Sequence, residues 1–550
     1  MILKPNRLRL SIGLAAMLAL TSCTQDELTD GTDTLPEGMY PLEIASATLS
    51  VESSEQPWGA KAQTRVVENE DGNNSVWTAG DEFYVKFEGS EQVGTYKITN
   101  AETGTVEAVE PVYWQSASTE QTIIAWYASQ EDGTLDVSDQ TGGLAYVIRA
   151  KQTATYNSAA AVSLTFAHQL AKVRVYLRGS AYEGNAKGVT LSYPASYTLT
   201  DGEVTQAEGT TNGTIQMHKA ENADYYEALV LPGTIAISGN PFTVTLDNDQ
   251  TATLNLSTDL TLSAACRHNV TLRLHKSGTT EIDLSKQTST YEITGDGIYY
   301  FTGSGNYGIK VTSGNPHIYL GDANTSVSSG NGIDITNGSP TIRVEGTNTV
   351  SSSSNGAGIF VAEGSTVNIT GNSRSDQLTV TGGDNSSGIG AYNQACGNIA
   401  ISNVTVSARG TFPGIGIYSA GIGGSGSYAC GTITIDNATV YAYGMTDLYA
   451  GNQATPGIGG GLNGDTKGLY GAIKISNSTV YTYRGSNRCH YIGSAGSTNN
   501  PASSSDGIDC NGGGITNSTV YYYTQQRNND PTLDKTLVYD ASGTGTEQSE

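Results

Sequence analysis

Apolar and polar residues alternate in short runs through the C-terminal half of the chain, and the runs repeat. Gly-Ile pairs starting at Gly308, Gly332 and Gly358 lie 24 and 26 residues apart. Farther on, the phrase Ile-polar-Asn-x-Thr-Val starts at Ile401, Ile435, Ile475 and Ile515. Self-similarity at such periods predicts a solenoid. Because a period near 24 residues accommodates three short strands and three turns, we expect a right-handed parallel β-helix over residues 285–540.

The asparagine of the phrase marks a change in which residues point inward. Ile399 and Ile401 alternate toward the interior, yet Val404 and Val406 also face it, so the alternation breaks at Asn403. Such a break requires a turn, and asparagine adopts left-handed geometry more readily than other non-glycine residues. Successive coils lie about 4.8 Å apart. We therefore expect a buried ladder in which each amide bonds the next, formed by Asn403, Asn437, Asn477 and Asn517.

A second column stands five residues before each phrase. It contains Cys396, Cys430, Tyr470 and Cys510. Adjacent coils would bring Cys396 and Cys430 within disulfide reach. A column of reduced, buried thiols is the alternative.

Tyrosines follow three of the four phrases at positions that face outward. They are Tyr441 and Tyr443, Tyr481 and Tyr483, and Tyr521 and Tyr523, with Ser407 and Arg409 in the first coil. Two exposed aromatic columns on a flat sheet suit the stacking of sugar rings, which makes these six tyrosines candidate ligand-binding residues. The alternative is that stacked tyrosines only stabilise strand pairing or pack beneath loops.

The N-terminal half has a different pattern, in which short apolar-polar alternations are separated by turn signals such as Asp132-Gly133 and Asp201-Gly202. Regularly spaced strands without intervening helices predict an all-β region with one or two β-sandwiches over residues 66–276. In the segment Leu42–Val51 the apolar positions change parity near Ser46, which predicts a bulge there.

Composition and charge limit the partners. The chain has 28 Lys+Arg and 53 Asp+Glu residues, which gives a formal net charge of −25, with 67 glycines and 32 tyrosines. This charge repels nucleic acid and anionic lipid, so we expect no nucleic-acid partner. The abundance of glycine, serine, threonine, asparagine and tyrosine is typical of an exported all-β protein.

The N-terminus has the pattern of an export signal. A basic segment with Lys4 and Arg7 precedes a short apolar run, Leu10–Leu20, and then Cys23. The residues around Cys23 resemble a bacterial lipoprotein cleavage box, which implies that Cys23 becomes the lipidated first residue and that residues 24–65 contain a tether. The following Asp26-Glu27 pair resembles the surface-export signal of Bacteroidetes lipoproteins, implying a lipid-anchored, surface-exposed protein of the outer membrane. The alternative is an ordinary signal peptide with a chance cysteine.

Three stretches together resemble the fimbrillin family of Bacteroidetes pilus subunits. They are Thr64-Arg65, VWTAGDEFYV at Val76–Val85, and LTFAHQLAKVRVYL at Leu164–Leu177. The resemblance implies that a protease cuts after Arg65, that the first strand at Leu42–Val51 leaves, and that a strand of another fimbrillin subunit fills the groove. Main-chain hydrogen bonding to an added strand supplies the affinity in such exchange. The alternative is that Arg65 is only a loop cation and the first strand stays in place.

The residues offer little for metal, cofactor or catalytic chemistry. His168 has no second histidine or acid at metal-ligand spacing, so we expect no metal site and no cofactor. Acids are sparse in the repeats, where they include Asp334, Asp384, Asp436, Asp465, Asp506 and Asp509. Asp506 and Asp509 would fall on opposite faces of a strand, whereas glycoside hydrolysis requires two carboxylates in one cleft. We therefore expect a protein that is not an enzyme.

Three interpretations of function follow from the sequence. The first is a fimbrillin-type surface lipoprotein, an adhesin at a pilus tip or accessory to it, whose β-helix resembles carbohydrate-binding β-helices and contacts a glycan or a partner surface. The polar C-terminal tail is expected to pair poorly as a strand, so this subunit would accept a strand without donating one. The second is a surface glycan-binding lipoprotein that does not polymerise. The third is a β-helix polysaccharide lyase or hydrolase.

Overall fold

The computed structural model of the protein describes residues 40–49, 59–60, 67–68, 74–116, 118–156, 161–182, 184, 186–206, 209–220, 225–236, 240–254, 259–411, 417–445, 453–502, 507–526 and 529–548. Cys23, Arg65 and Asp506 lie outside these residues. Regular structure in the described part is β-strand, apart from a short 3₁₀ helix at Leu284–Lys286. No helix in that part is long and apolar enough to cross a membrane.

The strands of the N-terminal half are short and connected by turns. In chain order they are β1 Ile44–Leu49, β2 Gly59–Ala60, β3 Val67–Glu68, β4 Asn74–Val76, β5 Glu82–Phe87, β6 Gly94–Asn100, β7 Thr105–Glu110, β8 Gln121–Ala128, β9 Gly133–Asp136, β10 Val147–Ala154, β11 Val162–His168, β12 Ala171–Arg178, β13 Ala186–Tyr193, β14 Ser196–Thr200, β15 Glu203–Thr205, β16 Gly213–Gln216, β17 His218–Lys219, β18 Tyr226–Val230, β19 Gly233–Ile235, β20 Phe242–Leu246, β21 Thr251–Leu254, β22 Leu260–Leu262 and β23 Arg267–Arg273.

Most strands of the C-terminal half are two to six residues long. They are β24 Thr279–Asp283, β25 Tyr291–Ile293, β26 Ile298–Thr302, β27 Ser304–Gly305, β28 Ile309–Val311, β29 His317–Gly321, β30 Asn324–Val327, β31 Ile333–Ile335, β32 Thr341–Glu345, β33 Thr347–Ser352, β34 Ile359–Val361, β35 Thr366–Gly371, β36 Gln377–Asp384, β37 Ile389–Gly390, β38 Asn398–Ser402, β39 Thr405–Thr411, β40 Ile417–Tyr418, β41 Ile422–Gly423, β42 Ile433–Asp436, β43 Thr439–Tyr443, β44 Gln453–Ala454, β45 Ile458–Gly459, β46 Leu462–Asn463, β47 Thr466–Lys467, β48 Ile473–Ser476, β49 Thr479–Arg484, β50 Ile492–Gly493, β51 Gly496–Ser497, β52 Gly514–Thr516, β53 Ser518–Gln526, β54 Asn529–Tyr539 and β55 Gly545–Glu547.

The first N-terminal unit is a seven-stranded sheet in the order β1-β11-β10-β8-β5-β6-β7. Its apolar face encloses an aromatic core in which Trp77, Phe83 and Phe166 lie edge-on or tilted to one another. The alternation predicted this face: Phe83, Val85 and Phe87 are buried on one side of β5.

The first strand completes this unit. β1 pairs in parallel with β11, and the register shifts between Ile44 and Ser46, which is the bulge predicted from the change of parity. Its other flank is also bonded, since the amide of Ala47 donates to the carbonyl of Gly104 at 2.9 Å. Gly104 has a φ of 67°, and a Cβ there would lie 2.4 Å from the Ala47 carbonyl oxygen. The turn after β6 therefore needs glycine for β1 to pass so close.

The second N-terminal unit is a sandwich of two four-stranded sheets. Their orders are β17-β18-β12-β23 and β16-β13-β20-β21. Val173 and Val175 of β12 meet Leu191 of β13 and Phe242 of β20 in one buried cluster. Two units with separate cores thus form the N-terminal half, in agreement with the predicted fold class.

The C-terminal half is a parallel β-helix, as predicted. Sheet A has the order β24-β26-β29-β32-β35-β38-β42-β48-β52, sheet B the order β25-β28-β31-β34-β37-β41-β45-β50, and sheet C the order β27-β30-β33-β36-β39-β43-β49-β53, followed by β54 and β55. The isoleucines that open the repeated phrase pair directly with one another from coil to coil in sheet A. These three sheets extend from Thr279 to Glu547, and the short strands β40, β44, β46, β47 and β51 pair in two small sheets outside them.

Glycine is required where the coils turn between sheets B and A. Gly423 and Gly459 follow the isoleucines of β41 and β45 with φ values of 127° and 137°. A Cβ at Gly423 would lie 2.1 Å from the carbonyl oxygen of Gly459 in the next coil. The repeated Gly-Ile-Gly element therefore keeps neighbouring coils at strand spacing.

The C-terminal end of the β-helix is covered by its own chain. β54 runs antiparallel to β53, and β55 runs antiparallel to β54. Inside the last coil Tyr522 is fully buried, and its hydroxyl lies 2.8 Å from that of Tyr539. The expectation that the polar tail pairs poorly is therefore wrong over β55, because main-chain hydrogen bonds do not require apolar side chains.

The sandwich and the β-helix meet through a buried carboxylate. Glu345, at the end of β32, accepts hydrogen bonds from the amide of Gly179 at 2.9 Å and from the hydroxyl of Tyr300 at 2.8 Å. It is fully buried, and burial raises the pKa of its carboxyl group. The contact fixes the outer face of sheet A in its first coils against the second N-terminal unit.

Candidate functional site

The outer face of sheet C carries the tyrosines identified from the sequence. The register places them in two columns that cross the strands at right angles. The first column contains Tyr441, Tyr481 and Tyr521, and the second contains Tyr443, Tyr483 and Tyr523. All six are half-buried. They face away from the core, because side chains alternate along each strand and the preceding residues, Val440, Val480 and Val520, are fully buried.

The rings stack face to face along each column. In the first column the centroids are 4.5 Å apart at both steps, with planes inclined by 6° and 4°. In the second column the centroids are 4.3 and 4.6 Å apart, with planes inclined by 12° and 16°. The guanidinium of Arg409 lies 4.3 Å from the centroid of Tyr443 and covers the exposed face at that end.

This stacking changes what the columns offer to a ligand. A sugar ring stacks on the face of an aromatic ring, and here the facing rings within each column cover one another while Arg409 covers the outer face of Tyr443. The edges and hydroxyl groups remain at the surface. Burial, followed by the effect of neighbouring tyrosines, raises the pKa of Tyr481 and of Tyr483, so these hydroxyls are neutral hydrogen-bonding groups at ordinary pH. The geometry thus favours the structural interpretation of the columns over ring stacking with sugars.

The four asparagines of the repeated phrase occupy one corner of successive coils, but they do not form a buried ladder. All four have left-handed φ values, from 47° to 53°, as the change of parity requires. All four are exposed. The Asn437 side-chain amide donates to Asn403 at 2.6 Å, whereas the amide of Asn477 donates to Asp436 at 3.0 Å. The expectation of a buried ladder is wrong because the left-handed turn directs this side chain outward at the corner.

The next position in the phrase provides the buried polar contacts instead. Ser478 and Ser518 are buried, and the Ser478 hydroxyl accepts from the amide of Ala438 at 3.1 Å. The Ser518 hydroxyl accepts in turn from the amide of Ser478 at 3.0 Å. These hydroxyls satisfy backbone donors that the corner leaves unpaired. The signal in the sequence was the small residue after each asparagine in the last three copies.

Arg374 is a further residue that the sequence did not single out. Its guanidinium donates to the Asn437 side-chain oxygen at 2.9 Å and to the carbonyl oxygen of Asn477. It therefore lies along the asparagine corner and bonds to two coils beyond its own. Only the fold brings it there, since it is 63 residues from Asn437 in sequence.

Cys396 and Cys430 are joined by a disulfide with a Cα–Cα distance of 4.4 Å. They lie in one column with Tyr470, because the bridge pairs run from Cys396 to Cys430 and from Cys430 to Tyr470. The hydroxyl of Tyr470 donates to the carboxylate of Asp509 at 2.7 Å.

The residues considered for metal or acid chemistry are dispersed. His168 is buried at the end of β11 in the first N-terminal unit, where burial lowers its pKa to about 3 and keeps the ring neutral. The Asp509 carboxylate accepts hydrogen bonds from the Tyr470 hydroxyl and from the amide of Asn511, and the bond from Tyr470 contributes most to holding its pKa below the usual value. Within the described ranges no three His, Cys, Asp or Glu side chains converge on a point where they could hold a metal ion.

The groove that holds β1 is a second candidate site. Leu42 and Ala47 are 1% exposed and Ile44 is 7% exposed. The amide of Leu42 donates to the carbonyl of Val112 at 2.8 Å, and its carbonyl accepts from the Tyr96 hydroxyl at 2.9 Å. The segment that contains Leu42 and β1 is therefore hydrogen-bonded along both edges. Without it, the main-chain groups on either side would be unpaired.

Comparisons with known proteins concern the N-terminal half. Aligned solved structures include proteins assigned to cell adhesion from Bacteroides uniformis (20% identity, covering 43% of this chain and 94% of that one, TM-score 0.32) and from Bacteroides thetaiotaomicron (17% identity, 43% and 92%, TM-score 0.27). A fimbrial protein from Bacteroides ovatus aligns at 11% identity over 43% of this chain and 50% of that one, with a TM-score of 0.24. No curated protein matches the chain.

The sequence profile of one family, described as fimbrillin-like, matches residues 64–295. These residues cover both N-terminal units except β1 and β2, together with the first strands of the β-helix. The resemblance inferred from Thr64-Arg65, Trp77 and the β11–β12 segment is thereby confirmed. Residues 64–295 of this chain are thus similar to the fimbrillin-like family, and the parallel β-helix begins within this range at Thr279.

Proposed function

We propose that the chain is a fimbrial-type adhesin at the cell surface, in which the fimbrillin-like half engages other fimbrillin subunits by strand exchange and the β-helix contacts a glycan or another surface. Lipidation of Cys23 would anchor the chain in the outer membrane, and cleavage after Arg65 would release the first strand. The role is one of binding without catalysis.

The observation that carries this proposal is the seating of β1. Ile44 of β1 and Leu42, two residues before it, have large apolar side chains that are buried in the aromatic core of the first unit. Burial of two such side chains contributes about 3–6 kcal/mol. Loss of β1 without replacement would therefore destabilise the unit strongly, whereas an incoming strand with the same apolar spacing would restore the contacts and the main-chain bonds.

The covered C-terminal end supports a terminal position in a filament. β54 pairs with β53 of the last coil and β55 pairs with β54, and the hydroxyl of Tyr522 in β53 contacts that of Tyr539 in β54. The chain's last described strands are thus engaged in its own β-helix. β54 and β55 are therefore not free to pair with a neighbouring subunit, which fits a tip or accessory adhesin.

Mass analysis of the exported protein tests the proposal. The full chain is produced in a Bacteroidetes host, and the surface protein is analysed by intact mass and by crosslinking to fimbrillin subunits. We expect loss of the residues up to Arg65, and we expect Arg65→Ala to retain them while Lys61→Ala does not. Recovery of the wild-type protein with an intact lipidated N-terminus would contradict strand exchange and would favour a surface lipoprotein that does not polymerise.

A further inference from the structure

The first coils of the β-helix form a groove on the outer face of sheet C, at the end opposite the tyrosine columns. It encloses a cavity of about 300 Å³, the lower end of the size range of small-ligand sites. Its walls come from the 3₁₀ helix, from the loop after β27 and from the outward positions of β30 and β33. The lining residues are Leu284, Ser285, Gln287, Ser304, Gly305, Asn306, Tyr307, Asn324, Thr325, Ser326 and Thr349.

The polar groups that line the groove are uncharged. Its polar groups are the side-chain amides of Gln287, Asn306 and Asn324, together with five serine or threonine hydroxyls. In a chain with a net charge of −25, a groove without acids or bases among its lining residues disfavours both cations and anions as ligands. Amides and hydroxyls, each able to donate and accept, suit a ligand that carries many hydroxyl groups.

Two of these amides are held weakly. The Asn324 side-chain amide donates to the Ser304 hydroxyl at 3.5 Å, and that of Gln287 donates to the Asp283 carbonyl at 3.4 Å. Both distances exceed the usual range for such bonds. Little hydrogen-bond energy is therefore lost when these amides bond to a ligand instead.

Tyr307 provides the apolar contact. Its side chain is 41% exposed at the rim of the groove. The Thr325 hydroxyl donates to its carbonyl oxygen at 2.6 Å and fixes the loop on which it stands. Gly305 lets this loop approach the 3₁₀ helix, since a Cβ there would lie 2.4 Å from the carbonyl oxygen of Leu284. Unlike the rings of the tyrosine columns, which cover one another, this ring has a surface free for a sugar.

The groove continues into a neutral surface. The columns that lead from Asn324 and Ser326 pass through Thr349, Thr379 and Ser407 on one line and through Ser351, Thr381 and Arg409 on the other. Arg409 is the charged member of these outward positions. A linear chain that starts in the groove would therefore meet hydroxyl groups at each coil.

Resting on the proposed adhesin function, we infer that the groove beside Tyr307 binds one residue of a neutral glycan whose chain extends along sheet C toward Ser407. The ring of Tyr307 stacks on the sugar, and Asn324 and Gln287 bond to its hydroxyl groups. Sheet C then carries two separate features, a sugar subsite in the first coils and a stabilising tyrosine wall in the last ones.

Binding of defined oligosaccharides by the full exported chain tests this inference. The probes are hexasaccharides of glucan, mannan and galactan, with hexuronate and sulfated hexasaccharides as the anionic arm, and affinity is measured by calorimetry. We expect binding to a neutral probe, and we expect Tyr307→Ala to weaken it about tenfold or more, because a lost aromatic contact is worth about 1.4 kcal/mol. Tyr307→Phe keeps the ring and should bind within about threefold of the wild type.

A matched variant on the same face separates the possible outcomes. Tyr481→Ala, far from the groove, should leave the affinity unchanged, and Asn324→Ala should reduce it. Thermal melts confirm that each variant is folded. Unchanged affinity in Tyr307→Ala, or a preference for the anionic probes, would overturn the groove assignment while leaving the fimbrial proposal intact. If no probe of either arm binds, the inference is wrong, and the mass analysis still decides strand exchange independently.

Discussion

The tyrosine columns stabilise the last coils of the β-helix in proportion to the number of ring contacts, and replacement of the central ring tests this. Tyr481 lies between Tyr441 and Tyr521 and contacts both at 4.5 Å. Tyr481→Ala therefore removes two ring pairs. Tyr441→Ala removes one, because its other coil neighbour in the column is Ser407.

The magnitudes follow from the geometry. An aromatic pair contributes about 0.5–1.5 kcal/mol beyond the burial of its surface. We therefore expect Tyr481→Ala to lower the free energy of unfolding by about 1–3 kcal/mol more than the loss of the isolated side chain, and Tyr441→Ala by about half as much. Tyr481→Phe keeps both ring pairs and should be close to the wild type.

Urea unfolding followed by near-ultraviolet circular dichroism of the tyrosines measures these differences. Because both alanine variants lose the same strand propensity and occupy the same column, their difference reports the additional ring pair. Equal destabilisation by Tyr481→Ala and Tyr441→Ala would refute the argument from stacking. A loss of ligand affinity without any loss of stability would instead assign the columns to binding.

Four further predictions follow from the structure. Ser478→Ala should lower the free energy of unfolding by about 1–3 kcal/mol in the same urea assay, since it leaves a buried amide without an acceptor, and an unchanged midpoint would contradict this. Joint replacement of Cys396 and Cys430 by serine should lower it by about 3–4 kcal/mol, measured by calorimetry, and reductant should act on the wild type alone. Because burial raises the pKa of Tyr483, its stabilising contribution is complete below the usual tyrosine pKa of 10.0 and is lost as the pH rises through the folded-state value; Tyr483→Phe should flatten alkaline unfolding curves. Gly104→Ala should loosen β1 by about 1–3 kcal/mol, seen as faster hydrogen exchange of its amides, and unaltered exchange would argue against the close approach.

The parallel β-helix could be predicted from the sequence because its repeat fits one arrangement of strands and turns. Ile401 and its counterparts recur with fixed spacing to the following valine, so their register in sheet A follows once the coils are assumed to stack. The same holds for β1, where the change of parity near Ser46 located the bulge. These features depend on the local alternation of apolar and polar residues, and the strands of the structure follow that alternation.

The sequence could not predict in the same way whether each asparagine side chain points inward or outward at the corner. A left-handed residue at position 403 was required, but the direction of its side chain depends on how the two flanking strands meet. The stacking of the tyrosine rings follows from the spacing of adjacent strands, and with it the loss of free ring faces. Arg374 and Tyr307 were missed because their roles depend on contacts or exposure that only the assembled coils define.

The closed C-terminal end has a consequence for how this protein could have grown. With β54 paired along β53 and Tyr522 filling the interior of the last coil, a new repeat appended after the final one would find no open strand to join in sheet C. An additional coil placed between existing ones, in contrast, has strand partners above and below in all three sheets. The near-identical phrases at Ile435, Ile475 and Ile515, the last beside the closure, are the pattern that internal duplication would leave.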